Sequence, residues 1–163
     1  DLSFAEDDLA AVDPADDGTD TLGYIFATQI GDKYYIRKVI YNPDNVEVNG
    51  PMIVRLNELL FPIITFIEIN GLGGVFGKLL KRMGIKGIKP LNNGENKLGR
   101  IDSYKWIVQN HFVFDEDCDG GNPDYVKFLK HIKKLPKTGN KKMVGAADVV
   151  THMAKGLFKL KRV

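Results

Sequence analysis

The segment Ile63-Ile64-Thr65-Phe66-Ile67 contains no charged residue and only one polar one. A continuous run of this kind is typical of a strand covered on both faces of a sheet. Pro62 precedes the run and ends a helical pattern over residues 50–61, and a second helical pattern follows over residues 75–83. A buried strand between two helices predicts an α/β domain.

On the N-terminal side of this strand, the sequence predicts three antiparallel strands. Residues 9–13 form a short apolar run, and residues 21–30 are rich in β-branched and aromatic side chains. Gly31-Asp32 then provides a hairpin turn, and residues 33–41 form the partner strand. Between the first two strands, residues 14–20 combine Pro, Gly and Asp, which favours a turn.

On the C-terminal side, strands and helices continue to alternate. The predicted segments are a strand over 86–91, a helix over 95–110, a strand over 111–114, an acidic loop over 115–122, a helix from Pro123, a basic loop over 136–142 and a helix over 144–160. Gly84 is the expected C-cap of the helix before them. We therefore predict one α/β domain over residues 9–163, a mixed sheet of three antiparallel and then parallel strands, after an acidic linker at residues 1–8.

Composition sets limits on the class of protein. The chain has 163 residues, 44% of them hydrophobic and 27% charged, which suits one globular domain. No apolar run approaches the roughly 20 residues that span a bilayer, and the N-terminus shows no signal peptide. Because it begins at Asp1 without Met, we expect a fragment or a processed chain. Cys118 is the only cysteine, so no intrachain disulfide can form.

Charge is distributed unevenly along the chain. Residues 1–20 hold eight acids and no Lys or Arg, whereas residues 127–163 hold eleven Lys or Arg and one acid, Asp148. A basic surface attracts phosphate backbones without reading their sequence. The lysines alone fit a solvated face equally well, but their nearness to Asp148 favours binding of nucleic acid.

Three acidic residues at or beside apolar segments are the candidate site. Asp13 ends the first strand, Glu68 ends the buried strand, and Asp148 opens the final helix. Ionised side chains are rarely buried unless they are paired or bind a metal. Three converging carboxylates would suit Mg²⁺ or Mn²⁺, which indicates metal-dependent phosphoryl chemistry on nucleic acid.

Each of these residues also has a purely structural interpretation. Asp13 could cap its own turn, Glu68 could cap a helix, and Asp148 could balance the dipole in the first turn of its helix. His152 shares a helical face with Asp148, but a surface histidine is the simpler expectation.

Taken together, the ordered segments resemble the RNase H-like nuclease superfamily. Within it, residues 12–20, 66–71, 96–101 and 147–150 resemble motifs of the C-terminal nuclease domain of large terminase subunits from tailed bacteriophages and other viruses. The resemblance covers residues 9–160. It implies a metal-dependent endonuclease that cleaves double-stranded DNA during viral genome packaging.

The resemblance also implies the parts of the mechanism. Two ions, Mg²⁺ or Mn²⁺, would be held by Asp13, Glu68 and Asp148, with Asp13 bridging both and all three acting in catalysis. The expected DNA-binding residues are Lys97, Arg100, Lys137, Lys141 and Lys142. The implied partners of the full protein are DNA, an N-terminal ATPase domain, the portal and the small terminase subunit. The implied location is the host cytoplasm, with no membrane association.

The sequence departs from the family pattern in two ways. The third motif often carries His-Asp before its Asp, where this chain has Ala146-Ala147, so we expect an auxiliary metal ligand to be absent there. Asp17 and His152 are separate auxiliary candidates. No Walker A sequence is present, so the ATPase domain would precede Asp1. Two alternatives remain open: another RNase H-like nuclease, such as a resolvase or transposase core, or a non-catalytic nucleic-acid or protein-docking module.

Overall fold

The computed structural model of the chain contains one six-stranded sheet with helices on both faces. The structure describes residues 7–14, 21–44, 46–69, 73–92, 94, 96–138 and 144–163. The strands are β1 (Asp8–Asp13), β2 (Leu22–Ile30), β3 (Lys33–Asn42), β4 (Ile64–Glu68), β5 (Ile88–Leu91) and β6 (Phe112–Phe114). The helices are α1 (Val46–Leu60), α2 (Gly73–Arg82), α3 (Lys97–His111), α4 (Cys118–Gly121), α5 (Pro123–Thr138) and α6 (Val144–Lys159).

The strand order across the sheet is β5-β4-β1-β2-β3-β6. β1, β2 and β3 are antiparallel neighbours, β4 runs parallel to β1, and β5 runs parallel to β4. At the other edge, β6 runs parallel to β3. The predicted class, three antiparallel strands followed by parallel ones in a mixed α/β sheet, is confirmed.

The core lies in two layers, one on each face of the sheet. Along β1, Leu9 and Ala11 belong to the layer under α3, α5 and α6, whereas Ala10 and Val12 belong to the layer under α1 and α2. This assignment follows from the strand period of two, which sends successive side chains to opposite faces. Among the described residues, no helix has the length and apolarity that would let it cross a membrane.

Two helices are longer than the sequence suggested, and both contain a proline. α1 begins at Val46, four residues before the predicted start, and contains Pro51. α5 runs to Thr138, so the basic loop predicted from Pro136 is wrong over its first three residues. A proline removes one helical donor, but the buried faces of α1 and α5, with Ile53 and Phe128 fully buried, outweigh that local cost.

The sequence predicts an apolar side of α3 along Leu98, Ile101, Trp106 and Ile107, and only Ile107 of these is buried. Leu98 and Trp106 are about half exposed, while Arg100 and Ile107 are buried. The inward stripe runs through Arg100, Tyr104 and Ile107, at i, i+4 and i+7, and so carries a charged residue that a search for apolar periodicity passes over.

The helix end predicted at Gly84 is confirmed. Gly84 has φ of 100° and its N–H donates to the Lys81 carbonyl, while Ile85 donates to the Leu80 carbonyl. This pair of bonds is the Schellman arrangement, which favours glycine because the residue is left-handed. The acidic loop expected over 115–122 contains the single irregular turn α4, in which Asp119 and Gly120 have non-helical angles.

Close approach of α6 to the sheet depends on two glycines. A Cβ built on Gly156 would lie 2.4 Å from the Phe66 ring, and one on Gly23 would lie 3.0 Å from Val149. Gly156 therefore sets the distance between α6 and β4. Gly23 sets the distance between α6 and β2, and Gly23 pairs with Asp13 on the neighbouring strand.

We expect Gly156→Ala to destabilise the domain by about 1–3 kcal/mol, the usual cost of overpacking a core. Gly77→Ala in α2 is the matched control, because its Cβ would meet Ile67 at an ordinary 3.6 Å and alanine favours helix by up to about 1 kcal/mol. Urea unfolding followed by circular dichroism measures both. Equal stability of the two variants would contradict the close-packing account.

Candidate metal centre

Asp13 and Glu68 reach one edge of the sheet because β1 and β4 are parallel. Val12 pairs with Ile67, and the next residue of each strand is the acid. The strand period places Asp13 on the face of Leu9 and Ala11, and it places Glu68 on the face of Phe66. Both carboxylates therefore point to the side covered by α6.

Asp148 and His152 project from α6 toward these carboxylates, one helical turn apart. Both side chains are fully buried. Asp148 is the fifth residue of α6 and no acid lies in its first turn, so the interpretation as a first-turn dipole counter-charge is wrong. The expectation of a surface histidine at position 152 is wrong as well.

The four side chains form one compact group. Each of Asp13, Glu68, Asp148 and His152 offers a ligand atom, and these atoms all lie within 4.8 Å of one another. His152 Nε2 is 3.3 Å from Glu68 Oε2 and 3.9 Å from Asp148 Oδ1. The structure therefore brings together the three predicted carboxylates and one of the two auxiliary candidates.

Two cations from the first turn of α3 contact Asp148. Arg100 donates to Asp148 Oδ1 from Nε at 3.1 Å and from Nη2 at 2.6 Å. Lys97 Nζ lies 3.5 Å from Asp148 Oδ2. Lys97 is partly exposed and can reach a bound molecule, but Arg100 is 1% exposed. That burial contradicts the prediction that Arg100 binds the DNA backbone.

Sequence reasoning also missed Lys155, a buried lysine of α6. It lies seven residues after Asp148, on the same helical face, and Nζ donates to the Asn92 carbonyl at 3.2 Å. Asn92 follows β5, and Leu91 at the end of β5 pairs with Glu68. Lys155 thus fixes the chain beside the carboxylates. The signal for it was its spacing from Asp148.

Burial and like charge together set the electrostatics of the group. Burial raises the pKa of the Asp13 carboxyl well above its usual range, and the Asp148 and Glu68 carboxyls raise it further, while Lys97 lowers it. A bound cation would reverse these effects, because an opposite charge nearby favours the ionised form.

The residues present fit a hard divalent cation. Carboxylate oxygens at mutual distances below 4.8 Å can share an ion whose ligands lie about 2.0–2.5 Å away. Asp148 Oδ2 is buried and has no hydrogen-bond partner among the described residues. A buried acceptor without a hydrogen bond needs compensation, which Lys97 at 3.5 Å supplies in part and a metal ion would complete.

Three of the predicted residues, Asp17, Lys141 and Lys142, lie outside the described residues, as does the turn over 15–20. The side chain of Lys137 also lies outside them, although its backbone belongs to α5.

We expect Asp13→Asn to raise the melting temperature in EDTA at pH 7. The raised folded pKa means that the folded state binds this proton more tightly than the unfolded chain does. Stability in the wild type therefore falls as the pH rises from about 4, the usual Asp value, through the folded pKa. The amide removes that loss, and each kcal/mol gained should add about 2–4 °C.

Thermal unfolding of both proteins at pH 4 and pH 7 measures the difference, which should shrink at the lower pH. Asp102→Asn is the control, since its side chain is exposed and its ion pair among the described residues is with Lys105 on the surface of α3. A lower melting temperature for Asp13→Asn in EDTA would show that the carboxylate stabilises the metal-free fold.

Comparison by sequence gives no match to a known family profile or to a curated protein. Comparison by structure gives strong likeness to viral nuclease domains. The manganese-bound nuclease domain of the large terminase of bacteriophage SPP1 superposes with a TM-score of 0.67 at 13% identity, covering 95% of this chain and 88% of that one.

Two further structures show the same likeness. The nuclease domain of the large terminase subunit of bacterial virus Sf6 gives a TM-score of 0.60 at 14% identity, covering 93% of this chain and 89% of that one. The human cytomegalovirus terminase nuclease domain gives 0.61 at 11% identity, covering 99% and 89%. The fold of this chain is that of the nuclease domains of large terminase subunits, in the RNase H-like class.

Proposed function

We propose that this domain is a metal-dependent endonuclease that cleaves double-stranded DNA during viral genome packaging. The observation that carries the proposal is the meeting of Asp13, Glu68 and Asp148, from β1, β4 and α6, within 4.8 Å of one another. Carboxylates that converge from three separate elements on one edge of the sheet need a cation. Asp148, the fifth residue of α6, is not explained as a first-turn cap.

Asp13, Glu68 and Asp148 would hold Mg²⁺ or Mn²⁺, with two ions as the expected number and His152 as a further ligand. The bound ions supply Lewis acidity for attack of water on a phosphodiester. Lys97, partly exposed beside Asp148, would contact the phosphate at the mouth of the site. Manganese is present in the SPP1 domain and in one Sf6 domain of the same fold.

A basic face on α5 supports DNA as the substrate. Lys127, Lys130 and Lys134 follow i, i+3, i+7 spacing on α5. Burial lowers the pKa of His131, and the positive charge of these three lysines lowers it further. Lys127 Nζ lies 5.5 Å from the centre of the Tyr41 ring.

The pairing of neighbouring strands brings this basic face close to the carboxylates. Tyr41 pairs with Gly23, which pairs with Asp13. Two strand spacings place Tyr41 roughly 10 Å from Asp13. A duplex held on these lysines would therefore bring a phosphate to the metal centre without any contact to the bases.

The role in packaging rests on the fold shared with the SPP1 and Sf6 large terminase domains. On this proposal, residues 9–163 act together with an ATPase domain, the portal and a small terminase subunit in the host cytoplasm. Lys137, Lys141 and Lys142, whose side chains lie outside the described residues, stay predicted DNA-binding residues.

We expect Asp13→Ala to reduce cleavage of supercoiled plasmid in Mn²⁺ by more than about 100-fold, the upper end for loss of a group that only supports a metal ligand. The fold should remain, because the substitution removes like-charge repulsion. Near-UV circular dichroism checks the fold, and gel analysis of nicked and linear products measures the rate.

Asp102→Ala on α3 is the control for this experiment, since Asp102 is exposed, and it should keep the wild-type rate. Full activity in Asp13→Ala would exclude Asp13 as a metal ligand. Failure of the wild type to bind Mn²⁺ at millimolar concentration would favour a non-catalytic docking module, and preference for branched over linear DNA would favour a resolvase.

We expect Lys127→Glu, Lys130→Glu and Lys134→Glu together to weaken binding to every duplex sequence alike. The slope of log affinity against log salt should flatten by about 0.9 for each lysine that contacts a phosphate. Fluorescence anisotropy of a labelled duplex in Ca²⁺, across a salt series, measures both quantities.

The matched control changes charge equally on another surface. Lys81, Arg82 and Lys86, at and after the end of α2, belong to the opposite side of the sheet from α5. Their triple Glu variant should bind DNA nearly as the wild type does. If the two triple variants lose the same affinity and slope, only net charge matters and α5 is not the binding face.

A further inference from the structure

We propose that Arg100 is a positioning residue that fixes the orientation of Asp148 at the metal centre. This inference rests on the proposed function and assigns Arg100 a role other than contact with DNA. Its basis is a buried guanidinium that places two donors, Nε and Nη2, on the same oxygen of Asp148.

The two hydrogen bonds distinguish the oxygens of Asp148. Oδ1 accepts at 3.1 Å and 2.6 Å from Arg100, whereas Oδ2 is buried without a hydrogen-bond partner and has Lys97 Nζ 3.5 Å away. Arg100 thereby engages one of the two carboxylate oxygens with two donors. Oδ2 is the oxygen left for a metal ion.

Arg100 can hold this orientation because the start of α3 is itself fixed. Asn96 caps the helix by accepting from the Gly99 N–H at 2.8 Å, and the Arg100 N–H donates to the Asn96 carbonyl at 3.0 Å. α3 packs along α6, the helix that carries Asp148. The pair therefore joins two helices that pack against each other.

Stability alone does not account for the pair. Desolvation of two charges offsets much of their attraction, and apolar residues of similar volume often serve the fold as well or better. The planar guanidinium, however, holds its N–H donors in fixed directions, so it can orient the carboxylate it contacts, whereas the rotatable ammonium of a lysine cannot. Orientation of Asp148 is thus the property that Arg100 specifically supplies.

Metal affinity separates this role from a simple charge effect. Removal of a cation beside a metal centre should tighten Mn²⁺ binding if charge alone matters. Loss of orientation should weaken it instead. Titration calorimetry with Mn²⁺ would compare the wild type with Arg100→Met, Arg100→Lys, Asp148→Asn and the double variant Arg100→Met/Asp148→Asn. Lys105→Met, on the exposed side of α3, is the control.

We expect Arg100→Met to weaken Mn²⁺ affinity by about 10–100-fold, as loss of a group behind a metal ligand does. Arg100→Lys should also weaken it, although the charge is kept, and Lys105→Met should not. In the Asp148→Asn background, Arg100→Met should add less than about threefold, since its effect passes through Asp148.

Unchanged or tighter Mn²⁺ binding in Arg100→Met would overturn the inference. So would an equal further loss in the Asp148→Asn background, which would mean that Arg100 acts on the fold as a whole. If Arg100→Met does not fold, Arg100→Lys decides, and wild-type affinity in that variant would contradict the role. No Mn²⁺ binding by the wild type would instead reject the proposed function.

Discussion

Repulsion among three clustered carboxylates, two of them buried, is the constraint around which this domain is arranged. Asp13, Glu68 and Asp148 converge at one edge of the sheet, where burial and mutual repulsion raise the pKa of Asp13. Such a group costs free energy unless cations accompany it. Arg100 and Lys97 reach it from a single helical turn of α3. The placement of α3 against α6 is therefore part of the site as well as of the core.

Backbone geometry produces the convergence before any side chain contributes. Parallel pairing of β1 with β4 makes both strands end at one edge, and strand alternation turns both terminal acids to the same face. α6 can then approach because Gly23 and Gly156 leave room for Val149 and Phe66. A larger residue at either glycine would move Asp148 away from its partners, so packing and ligand geometry are linked.

Much of the fold could be predicted from the sequence because period and turn chemistry are local. The β1–β3 meander, the buried β4 and the glycine at the end of α2 follow from such signals. The inward role of Arg100 and the burial of His152 could not be predicted in this way. Both depend on which helices face each other across the sheet, and a charged or titratable residue on a buried stripe looks like a surface residue until its partner is known. The same reason left Lys155 unrecognised.

If the proposed function holds, the arrangement of charge makes close binding of DNA depend on bound metal. Exposed lysines on α5 attract a phosphate backbone from a distance, whereas the buried carboxylates repel it at contact. A phosphodiester is itself anionic, so it cannot approach Asp13, Glu68 and Asp148 closely without positive charge between them. Lys97 at the mouth of the site supplies only one such charge. Divalent ions held by the carboxylates would therefore serve the seating of the substrate as well as its hydrolysis, and the lysine face alone would hold DNA without placing it for cleavage.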